Sequence, residues 1–262
     1  GVINLSPESF FKGSIERRGR SLAKRAREMS EAGADIIDVG AMSTAPYLKT
    51  AIGQKEEAKR LAWAIPIIRD HSPLPISVDT SRILPAETAL KAGAKILNDV
   101  TGLAADPRLK EVIQEFDGWI LMANPVHLSR PKKEPIQSIQ SILSRILAKT
   151  KEYGLPNNKI VLDPGVGFFR YDGIPWWRWD VNIIRNFSLL KKLGRPLMVG
   201  LSRKSFIGHF LNGLPAEKRL AGSLGATIVA VQNGASIVRT HDVRETKEAI
   251  LLAELLMREK KN

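Results

Sequence analysis

The stretch GAKILNDVTG, residues 93–102, decides the fold because it contains a helix end, a strand and a polar strand end in close succession. Gly93 follows an amphipathic run at 84–92, and glycine is favoured where a helix ends in a left-handed cap. The apolar residues of 95–99 then predict a short buried strand. Asn98 and Asp99 give that strand a polar carboxyl end. The stretch therefore predicts a helix that leads directly into a buried strand with chemistry at its end.

The same unit recurs along the whole chain. Eight strands are predicted, at 2–4, 35–40, 75–79, 95–99, 118–123, 160–163, 197–200 and 236–239. Helices are predicted at 18–32, 55–71, 84–92, 107–116, 136–153, 181–193, 215–233 and 243–260. Five glycines directly follow helical runs and predict their ends: Gly33, Gly93, Gly154, Gly194 and Gly234.

Eight strand–helix units in 262 residues predict an α/β protein of the (β/α)8 TIM-barrel class, whose usual length is about 250 residues. We expect one domain over residues 1–262. A doubly wound open sheet is the alternative. The barrel is favoured because nearly every predicted strand ends in polar residues or glycine, and only a barrel gathers all those ends on one face.

Composition excludes several classes of protein. Hydrophobic residues make up 44% of the chain, which is enough for a sizeable core. The chain has no cysteine, so disulfides, thiolate metal sites and cysteine nucleophiles are excluded, and a reducing compartment such as the cytoplasm is expected. No apolar run approaches the roughly 18 residues of a membrane span, so we expect no membrane association.

The formal net charge of +13 raises the question of an anionic partner. Nucleic-acid modules combine basic clusters with stacking aromatics or a helix-turn-helix pattern, and neither pattern is found in the sequence. We therefore expect no nucleic-acid partner and assign most of the charge to solvated helix faces. An anionic small substrate stays open.

The first predicted strand, Val2–Asn4, is shorter than the usual five or so residues of a strand. Pro7 prevents the strand from continuing into the loop that starts near Ser6, because proline has no backbone N–H to donate. We therefore expect the chain to be truncated at its amino terminus.

Side chains at the predicted strand ends fall into two chemical groups. Asp79, Asn98 and Asp163 offer hydrogen-bond acceptors and an amide suited to a flat, nitrogen-rich heterocycle. A second group offers donors for an anion: Asn4, Lys204, Arg239 and His241. One heterocycle joined to a phosphate-like group is the simplest ligand for both.

Each candidate has a structural alternative. Asp79 could cap the following helix, Asp99 could stabilise a turn, and Arg239 could form an ion pair at the barrel rim. Asp242 resembles the start of a capping box. Aromatic and sulfur side chains near the strand ends are more typical of a core than of a ligand contact, namely Met122, Phe168, Trp176, Trp177 and Trp179.

Ordered motifs carry a resemblance to a known family. They are INLSPESF at 3–10, GADIIDVGAMSTAP at 33–46, SVDTS at 77–81, LNDVTG at 97–102, VLDPGVGF at 161–168, GLSRKSFIG at 200–208 and RTHDV at 239–243. Over nearly its whole length the sequence resembles the dihydropteroate synthases. That resemblance implies a pterin-binding TIM barrel that joins 6-hydroxymethyl-7,8-dihydropterin diphosphate to an arylamine, usually 4-aminobenzoate, and releases diphosphate with Mg²⁺ present. It also implies a homodimer.

The resemblance assigns roles to individual residues. The pterin would be bound by Asp79, Asn98, Asp163, Lys204 and Met122. The diphosphate would be bound by Asn4, Arg239 and His241, with Asn4 also at the metal. The arylamine side would comprise Thr44, Pro46, Ser202, Arg203 and Lys12. The loop 6–14 would be a lid over the diphosphate.

The sequence departs from the family pattern on the arylamine side. Lys12 stands where the family commonly has Asp, and Ala45 where it has Arg. The fifth-strand motif is altered, and 170–179 resembles an insertion. One hypothesis is a different arylamine, such as one with a phosphorylated sugar as in archaeal-type members, and another is decayed activity. A pterin-binding corrinoid methyltransferase and a non-catalytic pterin binder stay open as alternatives.

Overall fold

The computed structural model describes residues 1–5, 15–42, 52–128, 134–170 and 173–258, with only the backbone at 15–17 and 258. The strands are β1 (Val2–Asn4), β2 (Ile37–Gly40), β3 (Ile76–Asp79), β4 (Ile96–Asp99), β5 (Gly118–Met122), β6 (Ile160–Asp163), β7 (Met198–Val199) and β8 (Ile237–Val238). The helices are α1 (Ile15–Glu31), α2 (Gln54–His71), α3 (Ile83–Ala92), α4 (Pro135–Glu152), α5 (Trp176–Arg185), α6 (Ser205–Phe210), α7 (Leu220–Gln232) and α8 (Val243–Arg258).

The strands form a closed parallel barrel. β1 to β6 pair in chain order, and β7 pairs with β8. A parallel bridge between Leu162 and Leu197 joins β6 to the start of β7. The backbone N–H of Val2 donates to the carbonyl of Thr240 at 3.0 Å, which links the end of β8 back to β1. The predicted (β/α)8 barrel is therefore confirmed, and all strand ends open on one face.

The strands are buried on both sides because helices cover the outside of the barrel. Ile37 and Val39 of β2 are fully buried, as are Val78 of β3 and Leu97 of β4. Such strands are rich in β-branched and aliphatic residues, as expected for a parallel sheet with both faces covered. Helix α2 adds a buried stripe at helical spacing: Leu61, Ala64, Ile65 and Ile68.

Two predicted helices take a different form. Residues 107–116 form two short 3₁₀ segments, Pro107–Glu111 and Ile113–Glu115. The carbonyl of Ile113 accepts the backbone N–H of Phe116 at 3.3 Å and also the indole Nε1–H of Trp119 at 2.8 Å. The helix expected at 181–193 instead begins at Trp176 and ends at Arg185, and Phe187–Leu193 follows as a 3₁₀ segment. Periodicity alone missed the short helix α6.

The predicted glycine helix ends are confirmed. All five predicted glycines have positive φ, for example 114° at Gly93 and 104° at Gly234. The N–H of Gly93 reaches back to the carbonyls of Ala89 and Leu90. These caps turn each helix sharply toward the next strand.

Candidate functional site

A cavity of about 350 Å³ opens at the carboxyl ends of the strands. It brings together ten of the predicted site residues, namely Asn4, Asp79, Asn98, Met122, Asp163, Ser202, Arg203, Lys204, Arg239 and His241. Lys12, Thr44 and Pro46 lie outside the described residues, as does the predicted lid at 6–14. The predicted gathering of strand-end residues from both halves of the chain is therefore seen in one cavity.

An ionic network crosses the bottom of this cavity. Arg239 donates from Nε to Oδ2 of Asp38 at 2.6 Å and from Nη2 to Oδ2 of Asp79 at 3.1 Å. Asn98 donates from Nδ2 to both oxygens of Asp38, at 3.3 and 3.2 Å. We call these four residues, Asp38, Asp79, Asn98 and Arg239, the cavity floor. The partly buried guanidinium of Arg239 thus pairs with two carboxylates, as the structural alternative of an ion pair predicted.

Asp79 retains an acceptor for a ligand. Its Oδ1 is buried and has no hydrogen-bond partner in the described residues, although the side chain lines the cavity. Burial raises the pKa of Asp79 to about 7, even though Arg239 lowers it. A buried carboxyl group with a raised pKa and an unpartnered oxygen can accept a hydrogen bond from an N–H group of a ligand, or share a proton with that group.

A second charged pair lies beside the floor. Oδ1 of Asp163 accepts the backbone N–H of Gly165 at 2.8 Å. Burial raises the pKa of Asp163, with Lys204 opposing the shift, and burial lowers the pKa of Lys204, with Asp163 opposing that shift. The ammonium of Lys204 lies 4.9 Å from the ring centre of Phe168, within reach of a cation–π interaction. Acid, base and aromatic face therefore surround one side of the cavity.

The cavity mouth is formed by the loops after β7 and β8. Ser202 Oγ lies 3.0 Å from Nδ1 of His241. His241 is exposed at the cavity mouth, and partial loss of hydration together with the positive charges of Arg239 and Arg203 lowers the pKa of its imidazole. The imidazole is therefore neutral at pH 7 and can donate a single N–H to an anion.

Arg203 already has a strong partner. Its Nε and Nη2 donate to the two oxygens of Asp242, at 3.1 and 2.6 Å. The Asp242 carboxylate, which was predicted to cap a helix, accepts both of these bonds from Arg203. Arg203 lines the cavity, but its guanidinium is a fork-shaped partner of Asp242.

The sequence analysis missed Asp38 as a site residue. Asp38 alternates with the buried Ile37 and Val39, so its side chain points to the opposite side of β2. An acidic residue inside an otherwise apolar predicted strand is the sequence signal that could have identified it, and in the structure Asp38 is only 6% exposed. Phe168, judged more typical of a core, and Gly167, which was not considered, also line the cavity.

The tryptophan-rich segment packs as part of the structure. Trp179 is fully buried and stacks on Phe169, with ring centres 4.7 Å apart. Trp177 stacks on His209, with ring centres 5.3 Å apart. The preference for packing over a ligand cage is therefore confirmed, and part of the presumed insertion is the first turn of α5.

The described residues contain no cluster of three or more His, Asp or Glu side chains that could hold a metal ion. Asn4, at the end of β1, places an amide beside the cavity. None of the helices within the described ranges is long and apolar enough to cross a membrane.

Comparison with known proteins identifies related chains. Residues 1–241 match the family described as Pterin binding enzyme. A dihydropteroate synthase of Clostridium beijerinckii is 32% identical over 260 residues, covering 98% of this chain and 93% of that protein. The dihydropteroate synthase of Clostridium difficile, solved in the presence of pteroic acid, superposes with a TM-score of 0.89 at 33% identity, covering 98% of this chain and 95% of that one. The Xanthomonas albilineans enzyme with 4-aminobenzoic acid gives a TM-score of 0.88 at 28% identity, covering 98% and 92%.

Proposed function

This chain belongs to the pterin-binding enzyme family, and from that premise we propose that it is a dihydropteroate synthase-like transferase. It condenses 6-hydroxymethyl-7,8-dihydropterin diphosphate with an arylamine and releases diphosphate. The observation that carries this proposal is the cavity at the strand ends, which Asp79, Asp163 and Lys204 line together. The Oδ1 of Asp79 has no hydrogen-bond partner in the described residues and can accept one from a ligand.

The pterin fits the deep part of the cavity. Its amino and ring N–H groups can donate to Asp79 Oδ1 and to Asp163, while Asn98 and Lys204 complete the polar contacts. Met122 and Phe168 supply apolar surface against the ring. Because the carboxylates are held by Arg239 and by the N–H of Gly165, they do not have to reorganise when the ligand arrives.

The carboxyl groups of the cavity suit the reaction. The bond between the hydroxymethyl carbon and the diphosphate oxygen breaks, and the diphosphate leaves with the electron pair. The carbon left behind carries positive charge until the arylamine nitrogen attacks it and loses a proton. Asp79 and Asp163 line the deep cavity, and their carboxyl oxygens can stabilise the positive charge that develops on this carbon. No side-chain nucleophile is required.

The diphosphate would lie at the mouth, next to Asn4, Ser202 and His241. Because Ser202 Oγ and His241 Nδ1 are hydrogen-bonded to each other, the pair keeps one donor for the anion, and the neutral ring adds no charge. Arg239 lies behind them and contributes its field, although its Nε and Nη2 bond to carboxylates. This arrangement separates the leaving group from the acidic floor.

Magnesium fits this mouth as a partner of the diphosphate. Mg²⁺ prefers oxygen ligands, keeps several waters and is commonly bound through substrate phosphates plus one or two protein groups. The amide oxygen of Asn4, which lines the cavity, can be one such group. When bound, Mg²⁺ supplies charge neutralisation on the leaving group.

The arylamine would approach from the side of Ser202 and Arg203, with Thr44, Pro46 and Lys12 assigned there by sequence. 4-Aminobenzoate is the first candidate, since the Xanthomonas relative was solved with 4-aminobenzoic acid. An arylamine with a phosphorylated sugar is the second, because Lys12 adds a positive charge to the first loop.

The proposal also includes a homodimer. Helix α8 exposes a stripe of leucines, and α7, which packs against it, exposes Val229. The exposed fractions on α8 are 51% at Leu251, 59% at Leu252, 60% at Leu255 and 59% at Leu256. A contiguous apolar stripe of this kind is typical of a surface that packs against another chain. A cytoplasmic location stays a prediction, which rests on the absence of cysteine.

The deciding experiment supplies the pterin diphosphate with each arylamine and follows product and diphosphate release by mass spectrometry. We expect condensation with at least one amine. Lys12→Ala should lower kcat/KM for a phosphorylated arylamine about tenfold and leave 4-aminobenzoate nearly unchanged. Pterin binding without condensation would indicate a non-catalytic pterin binder, and methyl transfer from a methylated pterin to a corrinoid would indicate the alternative enzyme.

A further inference from the structure

Asp180 is a buried acid outside the cavity lining. It lies on α5 and has no exposed surface. Its Oδ1 accepts the backbone N–H of Gly167 at 2.7 Å, and its Oδ2 has no hydrogen-bond partner among the described residues. Burying a carboxylate with one unpartnered oxygen costs free energy, so we expect a neighbouring segment to depend on this side chain.

The segment it binds is the turn after β6, which lines the cavity. Gly167 has φ of +89°, a conformation that favours glycine. A Cβ at this position would lie 3.0 Å from Cδ and 3.1 Å from Nζ of Lys204. The turn therefore packs directly against the lysine side chain, and the position of one depends on the position of the other.

The charges around Lys204 point to the same connection. Burial, Arg239 and Arg170 all lower the pKa of Lys204, whereas Asp163 and Asp180 raise it. Burial also raises the pKa of Asp180 to about 6, opposed by the N–H of Gly167 and by Lys204. Asp180 thus interacts with Lys204 through the turn at Gly167 and through its charge.

We propose that Asp180 is a positioning residue for pterin binding: its bond to the N–H of Gly167 fixes the turn 165–168 against Lys204 and holds the lysine where the pterin meets it. Asp180 does not line the cavity, so this role requires no contact with the substrate. The inference deepens the proposed function and rests on it.

The test compares Asp180→Ala with Asp180→Asn. The amide oxygen of Asn can still accept the N–H of Gly167, whereas Ala removes the acceptor. Calorimetry with 6-hydroxymethyl-7,8-dihydropterin diphosphate should show binding weakened about tenfold or more in Asp180→Ala and largely retained in Asp180→Asn. The KM for the arylamine, measured at saturating pterin, should change less than about threefold in either variant.

Two further measurements separate positioning from a general loss of stability. Hydrogen exchange should show the amide of Gly167 protected in the wild type and in Asp180→Asn, and unprotected in Asp180→Ala. Thr150→Ala serves as the matched control, because Thr150 is fully buried and bonds the carbonyl of Leu147 on α4. This control should lower the unfolding midpoint and leave pterin affinity unchanged.

Each outcome decides the proposal. Equal pterin affinity in wild type and Asp180→Ala would overturn it, and so would Asp180→Asn binding as weakly as Asp180→Ala. If Asp180→Ala does not fold, Gly167→Ala decides: its Cβ would displace Lys204, so unchanged pterin affinity there would also overturn the proposal. A wild type that does not bind the pterin would overturn the proposed function together with this inference, whereas normal wild-type binding with an unaffected variant would overturn the inference alone.

Discussion

Arg239 and Asp38 are 201 positions apart in the chain, yet Nε of Arg239 donates to Oδ2 of Asp38 at 2.6 Å. Arg239 follows β8, Asp38 lies on β2, and β1 separates the two strands in the barrel. Their side chains meet inside the barrel, where Arg239 also reaches Asp79 on β3. The closed barrel therefore makes a charge network that no local segment contains.

We expect Asp38→Ala to destabilise the fold. The substitution removes the closest partner of Arg239 and the acceptor of the Asn98 amide, leaving both groups poorly satisfied below the cavity. Since the Arg239 side chain is 28% exposed, we expect a loss of about 2 kcal/mol in unfolding free energy, less than the roughly 3 to 5 kcal/mol of a fully buried pair that loses one partner. Urea denaturation measures it. Asp117→Ala, in an exposed pair with Lys95, is the control and should change little.

His241 should titrate far below the ordinary range. The pKa of its imidazole is lowered to about 4, so the ring is neutral at pH 7 and gains its proton only near pH 4. Adding diphosphate places negative charge beside the ring, which favours the protonated form and raises the pKa. NMR titration of the imidazole with and without diphosphate checks both statements. A midpoint near 6.5 that diphosphate does not move would remove His241 from the anion site.

Asp163→Asn should weaken pterin binding. The amide can keep the bond from the N–H of Gly165, but it replaces the second carboxylate oxygen, an acceptor, with a donor and removes a charge beside Lys204. The cost should be at least about 2 kcal/mol, or roughly thirtyfold in dissociation constant by calorimetry. Asp117→Asn makes the same chemical change at the surface and should bind pterin as the wild type does. Unchanged affinity in Asp163→Asn would exclude Asp163 from the pterin contacts.

The exposed stripe on α8 should form the dimer contact. Leu252→Glu combined with Leu255→Glu places two charges on residues that are 59% and 60% exposed, so the monomer tolerates them whereas a packed apolar interface does not. Sedimentation should show a dimer in the wild type and a monomer in the double variant. Leu189→Glu, at a residue with 49% exposure outside α8, is the control and should remain dimeric. A wild type that is monomeric at high concentration would contradict the expectation.

Local patterns were sufficient for much of the fold. Glycines such as Gly93 and Gly234 predicted helix ends because few other residues adopt positive φ at low cost, and they do so at both positions in the structure. Apolar runs predicted every strand, although β7 and β8 are only two residues long where four were expected. Periodicity did less well at 107–116, because 3₁₀ and α-helical segments have similar short-range patterns.

The sequence by itself determined that polar residues follow the strands, and the barrel rule then predicted that Asp79, Asn98, Asp163 and Lys204 share one face. Only the tertiary structure decided what those residues do to one another. It placed Asp38 inside the barrel beside Arg239 and bonded Arg203 to Asp242. It also set the turn at Gly167 between Asp180 and Lys204. The physical reason is that burial, hydrogen-bond geometry and pKa depend on distances across the closed barrel, and those distances join residues that are remote in the chain.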